Sequence, residues 1–247
     1  INFYSLTCLI CAILVSTSAV SLRDLQQINA NLDKRKNVLL AAGLAKSSET
    51  LNAIEINKRF QAVKATVIDV TSGQPAQGIE TKDFDPKKVR NDPATSQTAP
   101  VNAARVSRIP KYVIVYQIFN NSQQLEMIVL PVEGYGLWST LYGFIALDAD
   151  GKTVRGLTYY KHGETPGLGG EVDNPSWKAR WTDRIISDEN GNILIEVIKG
   201  TAGSPKEEPH FVDGLSGATI TSRGVTNMLH FWLGKNGFGP YLRILRA

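Results

Sequence analysis

The 247-residue sequence predicts an α+β chain: a single N-terminal transmembrane helix, then a mostly antiparallel sheet domain with flanking helices. Three observations predict it. Ile1 to Leu22 contains no charged side chain. From Ala62 onward, β-branched and aromatic runs are divided by turn residues, the pattern of strands. Apolar residues at helical spacing bracket those runs, from Leu25 to Ala42 before them and from Val225 to Trp232 after them.

The elements follow in chain order. As a helix, Ile1–Leu22 spans roughly 33 Å at ~1.5 Å per residue, enough to cross a bilayer core. Its Ser and Thr hydroxyls can bond back to helical carbonyls and so tolerate that setting. "STSAVS" offers small residues for signal cleavage, but the apolar stretch is long for a signal core, and a retained anchor is expected. Because the chain opens on Ile, a short leader carrying the orienting charges is expected ahead of it. Cys8 and Cys11 both lie inside this helix and are the only cysteines. Two ligands make no closed metal site, so they read as small apolar residues of a membrane helix.

Residues 23–45 continue as a helical juxtamembrane linker, and residues 46–247 form the soluble domain. Within it, "SSETLNAIEINKRF" reads as a helix capped by Ser47 or Ser48. "AVKATVIDV", "KYVIVYQIF" and "LEMIVLPV" are strands, and the polar, proline-bearing stretch from Asp83 to Pro110 reads as a surface excursion. "LYGFIALDADGKTVRGLTYYKH" is a hairpin about an Asp-Ala-Asp-Gly turn. "ILIEVIKG" reads as a further strand, and "TSRGVTNMLHFWLG" as a helix with Val225, Met228, Leu229 and Trp232 on one face and Gly234 as its stop.

Composition narrows the function. A net charge of +4 with no basic block interleaved with aromatics argues against nucleic acid as partner. "GKT" at Gly151–Thr153 lacks the P-loop's first glycine, since Ala146 stands there. "GLSGA" lacks the closing glycine of a nucleophile elbow, where Ala218 stands. His162, His210 and His230 show no ligand spacing, so serine-hydrolase and zinc chemistry are set aside.

Two glycine-rich loops remain. In "HGETPGLGGEVDN", four glycines surround Glu164, Thr165 and Pro166, more than a plain turn needs, and glycine lets backbone approach a ligand closely. In "DGLSGATITS", four hydroxyls precede an amphipathic helix whose start presents unpaired amides and a positive dipole end, suited to phosphate, with Lys206 and Arg223 as neighbouring charges. An N-cap by Thr221 or Ser222 is the plain structural reading and can coexist with a ligand.

These residues carry a resemblance. "DGLSGATITS" resembles the D-x-x-S/T-G-A-T motif of flavoproteins in which FMN is esterified through its phosphate to threonine. "GYGLWSTLYGFIAL" and "YYKHGETPGLGGEVDNPSWKARW" resemble the NqrC family, a component of the sodium-translocating NADH:quinone reductases. RnfG, the related component of the Rnf electron-transport complex, shares the threonine motif and an "ETPGLG"-like loop and is the alternative. A cofactor-free membrane-anchored scaffold is the alternative from another class.

The resemblance implies that Thr219 receives the flavin, framed by Ser216, Gly217 and Ala218, with Asp213 as the acid that the family's flavin transferase requires during maturation. Thr221 is the rival attachment residue. The resemblance also implies that Glu164, Thr165, Gly167, Leu168 and Gly169 lie beside the isoalloxazine, and that Trp138, Ser139 and Thr140 of the shared "GLWST" segment touch flavin. It implies a single-pass subunit of the bacterial inner membrane with its domain in the periplasm. Such a subunit relays electrons with other subunits of a complex that oxidises NADH, reduces ubiquinone and exports sodium, and is not catalytic alone. No catalytic side chain and no metal ligand are implied.

Overall fold

A computed structural model describes residues 2–82 and 84–246; Ile1 and Ala247, the outer bounds of the expected segments, lie outside the described residues, as does Asp83. The N-terminal helix α1 (Phe3–Ala41) is one unbroken element, long and apolar enough near its start to cross a membrane. Cys8 and Cys11 are both exposed on it. The expected linker is thus helical as far as Ala41, and from Leu32 onward it already packs on the domain. Helix α2 (Ala53–Phe60) begins later than Ser47 or Ser48. Its cap is Asn52, whose side chain accepts from the Glu55 amide at 2.9 Å while Glu55 accepts from the Asn52 amide at 3.0 Å. That reciprocal pair satisfies two end groups at once and outcompetes an isolated serine.

Five strands make the central sheet, in the order β1 (Val63–Asp69), β4 (Tyr112–Phe119), β5 (Leu125–Tyr135), β6 (Thr140–Asp148) and β7 (Val154–Lys161). Every neighbouring pair is antiparallel. The long β5 and β6 read as nearly continuous apolar runs because both faces of the sheet are covered. Met127 and Val129 of β5 and Phe144 and Ala146 of β6 face the helices α1 and α2. Ile128, Leu130 and Val132, with Leu141, Ile145 and Leu147, face the opposite core, which holds α5 (Thr219–Leu233) and α6 (Gly239–Arg246). Alternation with period two assigns each residue its face. Each fully buried aliphatic side chain contributes about 1.5–3 kcal/mol to the assembly.

The stretch between Asp83 and Pro110 departs from its expected role as a surface excursion. It holds α3 (Pro86–Asn91), β2 (Ser96–Thr98) and β3 (Arg108–Pro110), and it sends Ala104, Val106 and Ile109 into the core. Scattered single apolar residues among prolines carry no periodic signal, which hides such a contribution. "ILIEVIKG" likewise forms a strand only over β8 (Glu196–Val197), parallel to β9 (Phe211–Val212), with an isolated antiparallel bridge from Ile193 to Ser187. "PSWKARWTD" folds as a one-turn helix, α4 (Pro175–Lys178), followed by a short 3₁₀ turn.

The root of α1 is fixed to the sheet by close approach. A Cβ on Gly156 of β7 would stand 2.5 Å from the Ala41 carbonyl oxygen, so only glycine lets the last turn of α1 settle there. Gly156→Ala is therefore expected to lift α1 from the sheet and destabilise the domain by about 1–3 kcal/mol. Urea unfolding followed by tryptophan fluorescence checks this: the midpoint falls while the slope is unchanged.

On the other face, Val225, Met228, Leu229 and Trp232 of α5 are all buried, as their spacing predicts. The Trp232 indole donates to the Glu133 carbonyl at 2.7 Å. A Cβ on Gly224 would meet the Tyr135 carbonyl oxygen at 2.5 Å. This near contact draws the first turns of α5 against the end of β5, beside the turn that leads into β6.

Candidate functional site

Three segments converge where α5 begins: the β5–β6 turn around Gly136–Ser139, the loop 162–170 after β7, and the stretch Asp213–Thr219. The carboxylate of Glu164 is their centre. Glu164 is only 5% exposed. Its Oε2 accepts from the Leu137 amide at 3.1 Å, and its Oε1 from the Trp138 and Ser139 amides at 3.0 and 3.1 Å. The Ser139 hydroxyl donates to Oε1 at 3.3 Å and the Thr221 hydroxyl to Oε2 at 2.7 Å. Burial pushes the Glu164 carboxyl up, but the Thr221 hydroxyl and the three amides together outweigh it and hold it below its ordinary value. The side chain is thus an ionised strut that ties two loops to α5.

The glycines around Glu164 leave it room. A Cβ on Gly136 would stand 2.7 Å from Glu164 Oε1, and one on Gly169 would stand 2.6 Å from Thr221 Oγ1 and 2.7 Å from Glu164 Oε2. Gly163 closes the same turn from the other side, its amide donating to Ser139 Oγ at 2.7 Å.

The four hydroxyls of "DGLSGATITS" divide into two pairs. Thr221 and Ser222 are buried. Neither caps the helix. Thr221 is committed to Glu164, and the Ser222 hydroxyl accepts from the Leu215 amide at 3.0 Å, folding the preceding loop back onto α5. Ser216 and Thr219 are exposed. Thr219 is the first residue of α5, the cap position is Ala218, and no side chain caps the helix. Among the described residues, the amides of Thr219, Ile220 and Thr221 have no hydrogen-bond acceptor. The start of this 15-residue helix therefore presents open donors at its positive dipole end beside an accessible threonine hydroxyl.

The other sequence-predicted residues surround this point. Thr165, Gly167 and Leu168 are exposed on the 162–170 loop, whereas Gly169 is buried beneath it. Gly217, in the left-handed region at φ 70°, lies beside Leu168, since a Cβ there would meet Leu168 Cδ2 at 2.9 Å. Leu137 and Trp138 stand out from the β5–β6 turn, with Trp138 66% exposed. Ser139 and Thr140 are half-buried, and Thr140 opens β6 opposite Tyr135. Asp213 is occupied: its Oδ1 accepts from the Ala202 amide at 3.0 Å, and its Oδ2 lies 3.6 Å from Arg180 Nε. Lys206 and Arg223 are exposed.

Sequence reasoning did not find Thr221 as the partner of Glu164, Gly136 as its neighbour, or the contacts of His162. Leu137, Trp138 and Leu168 are exposed around these loops, at 38%, 66% and 45%, so the site is an open face rimmed by apolar side chains. No group of three His, Cys, Asp or Glu side chains able to hold a metal occurs among the described residues.

Comparison with known proteins places this geometry. A family model described as an FMN-binding domain matches residues 136–234, from the β5–β6 turn to the end of α5. The chain is 43% identical over 243 residues to the NqrC component of the Na(+)-translocating NADH-quinone reductase of Pseudomonas aeruginosa, covering 97% of this chain and 92% of the relative. It is 42% identical to the corresponding protein from Yersinia pestis, covering 97% and 89%. Among solved structures, it is similar to NqrC of Shewanella oneidensis at TM-score 0.78 and 32% identity, covering 87% of this chain and 97% of that one. Near-complete coverage at such identity, on the same fold, settles the kinship: the chain belongs to the NqrC family of the Na(+)-translocating NADH-quinone reductases, as one subunit of an oxidoreductase complex, with an FMN-binding domain towards its C-terminal end.

Proposed function

We propose that the chain carries FMN esterified through its phosphate to Thr219 and serves its complex as a membrane-anchored one-electron relay. The observation that carries this reading is the uncapped start of α5. Thr219 is exposed beside three amides without acceptors, while Thr221 is buried and its hydroxyl is already donated. A phosphodiester on Thr219 keeps one negative charge at the positive end of the helix, where a side-chain cap would otherwise sit. Ala218 and Gly217 leave that hydroxyl sterically open to attack the flavin-side phosphorus of a flavin pyrophosphate during maturation by a flavin transferase. The new P–O bond forms as the P–O–P bond breaks, the nucleoside monophosphate half leaves, and the hydroxyl proton passes to the transferase or solvent.

Bound FMN would supply the one-electron chemistry. The side chains of this domain bind and orient. Trp138, Leu137 and Leu168 would offer apolar faces to the isoalloxazine, and the exposed part of the 162–170 loop would border it. Glu164 fixes the relative position of the two loops and α5 from beneath. An open face of this kind admits a partner subunit directly against the cofactor. The apolar start of α1 anchors the chain in the bacterial inner membrane with the domain in the periplasm, and partner subunits oxidise NADH, reduce ubiquinone and move sodium.

Intact-mass measurement of the denatured full chain tests the reading. Material from a host with the flavin transferase is expected to carry one FMN ester, and material from a host without it none. Unmodified mass from both hosts overturns the proposal.

A further inference from the structure

The loop 162–170 is tied to the domain by a run of polar side chains that electron relay does not itself require. His162 stands at its head. The Glu164 amide donates to His162 Nδ1 at 3.2 Å, and His162 Nε2 lies 2.7 Å from Asp173 Oδ2. A backbone amide can only donate, so Nδ1 is the bare nitrogen, and the ring proton sits on Nε2 facing the carboxylate. Asp173 is held in turn, its Oδ1 3.0 Å from Lys178 Nζ. The same ammonium donates to Thr158 Oγ1 at 3.2 Å, and that hydroxyl donates to Asn37 Oδ1 at 3.2 Å. Thr158 and Asn37 are buried, at 2% and 7% exposure, so the run ends in the core where α1 is rooted.

This arrangement fixes the imidazole more tightly than packing alone. Asp173 sets the tautomer and the plane of the ring, as a carboxylate does for an orienting histidine. The oriented Nδ1 then accepts from the backbone of Glu164, the residue whose side chain anchors the β5–β6 turn and α5. A displacement of the Glu164 backbone carries Thr165 to Leu168 with it and shifts the carboxylate away from the Leu137, Trp138 and Ser139 amides.

We propose that His162 is a positioning residue of the flavin site, its Nδ1 holding the Glu164 backbone, and through it the exposed loop, in the geometry that orders the isoalloxazine. The effect on the cofactor rests on the FMN reading. The hold on the Glu164 amide does not, and it is measurable in protein that carries no flavin.

The test uses the full chain with His162→Gln and His162→Asn. The Asn carbonyl reaches the place of Nδ1 and keeps an acceptor for the Glu164 amide. The longer Gln reaches the place of Nε2 and keeps only the partner of Asp173. In protein from a host without flavin transferase, hydrogen exchange at the Glu164 amide is expected to be about tenfold faster in His162→Gln than in the wild type, and within about twofold of the wild type in His162→Asn. In protein from a host with the transferase, all three chains carry equal flavin mass. The visible circular dichroism of the flavin falls in His162→Gln and returns in His162→Asn.

Wild-type exchange in His162→Gln, or exchange in His162→Asn as fast as in His162→Gln, overturns the hold on Glu164. Unchanged flavin dichroism in a fully loaded His162→Gln chain overturns its effect on the cofactor. A wild-type chain that never gains flavin mass overturns the FMN reading instead and leaves the exchange result standing.

Discussion

Thr219→Val is expected to reduce covalent flavin to background on a denaturing gel, whereas Thr221→Val keeps it. Thr219 is exposed and donates to nothing among the described residues, so its loss leaves the melting temperature within about 1 °C, as for surface changes generally. Thr221 behaves in the opposite way. It is 0% exposed, and its hydroxyl donates to the ionised Glu164 at 2.7 Å, so the isosteric valine removes a charge-assisted bond from the core. That loss costs about 1.5–3 kcal/mol. One variant is thus stable and colourless under denaturation, and the other fluorescent but fragile. In-gel fluorescence and thermal melting of the two chains read this crossed pattern. Flavin fluorescence that survives Thr219→Val removes that residue from the reading.

Glu164→Ala is expected to be the most destabilising single change at the site. It leaves the part-buried amides of Leu137, Trp138 and Ser139 and the buried hydroxyl of Thr221 without their acceptor. Stranding several donors of a buried charge costs about 3–5 kcal/mol. The pH dependence has a definite sign. The folded carboxyl titrates below the value of 4.5 that stands for an unperturbed glutamate. The unfolded chain therefore binds the proton more readily, and the stabilisation is fully present above that value and lost as pH falls through the folded one. Urea midpoints measured from pH 7 down to 3 are expected to fall more steeply below pH 4.5 in the wild type than in Glu164→Gln, which has no carboxylate to protonate there. Parallel acid limbs in the two chains count against the strut.

The sheet was legible because its strands carry runs that only a two-sided core explains. Met127 to Leu130 alternate between two buried faces, and the Asp148–Gly151 turn joins β6 to β7 as its residues predict. The amphipathic face of α5 was legible for the same reason. The site was legible only in outline. Clustered glycines signalled close approach, but they do not tell what approaches.

Gly136 and Gly169 make room for the carboxylate of Glu164, whose partners lie 25 to 57 residues away along the chain. No local spacing encodes such a meeting. The missing cap of α5 was hidden by hydroxyls at 221 and 222, which look like caps in sequence but turn inward once the helix begins at Thr219. Likewise Asn52 displaced the serines as the cap of α2, because its partner Glu55 stands at the reciprocal distance.

With the proposed anchor in a bilayer, the unbroken course of α1 makes lipid thickness a setting for the reach of the domain. Phe3 to Ala41 contains neither glycine nor proline, and its far end is clamped against Gly156 without an intervening hinge. A rod embedded over the proposed anchor inclines when its apolar length exceeds the hydrocarbon depth, commonly by ~20°. With no joint to absorb that lean, the globular head swings sideways by about one third of its height above the pivot, or ~14 Å for a head ~40 Å away. Bilayers of different depth would thus present the same exposed loop face to different stretches of neighbouring protein, with no change inside the fold.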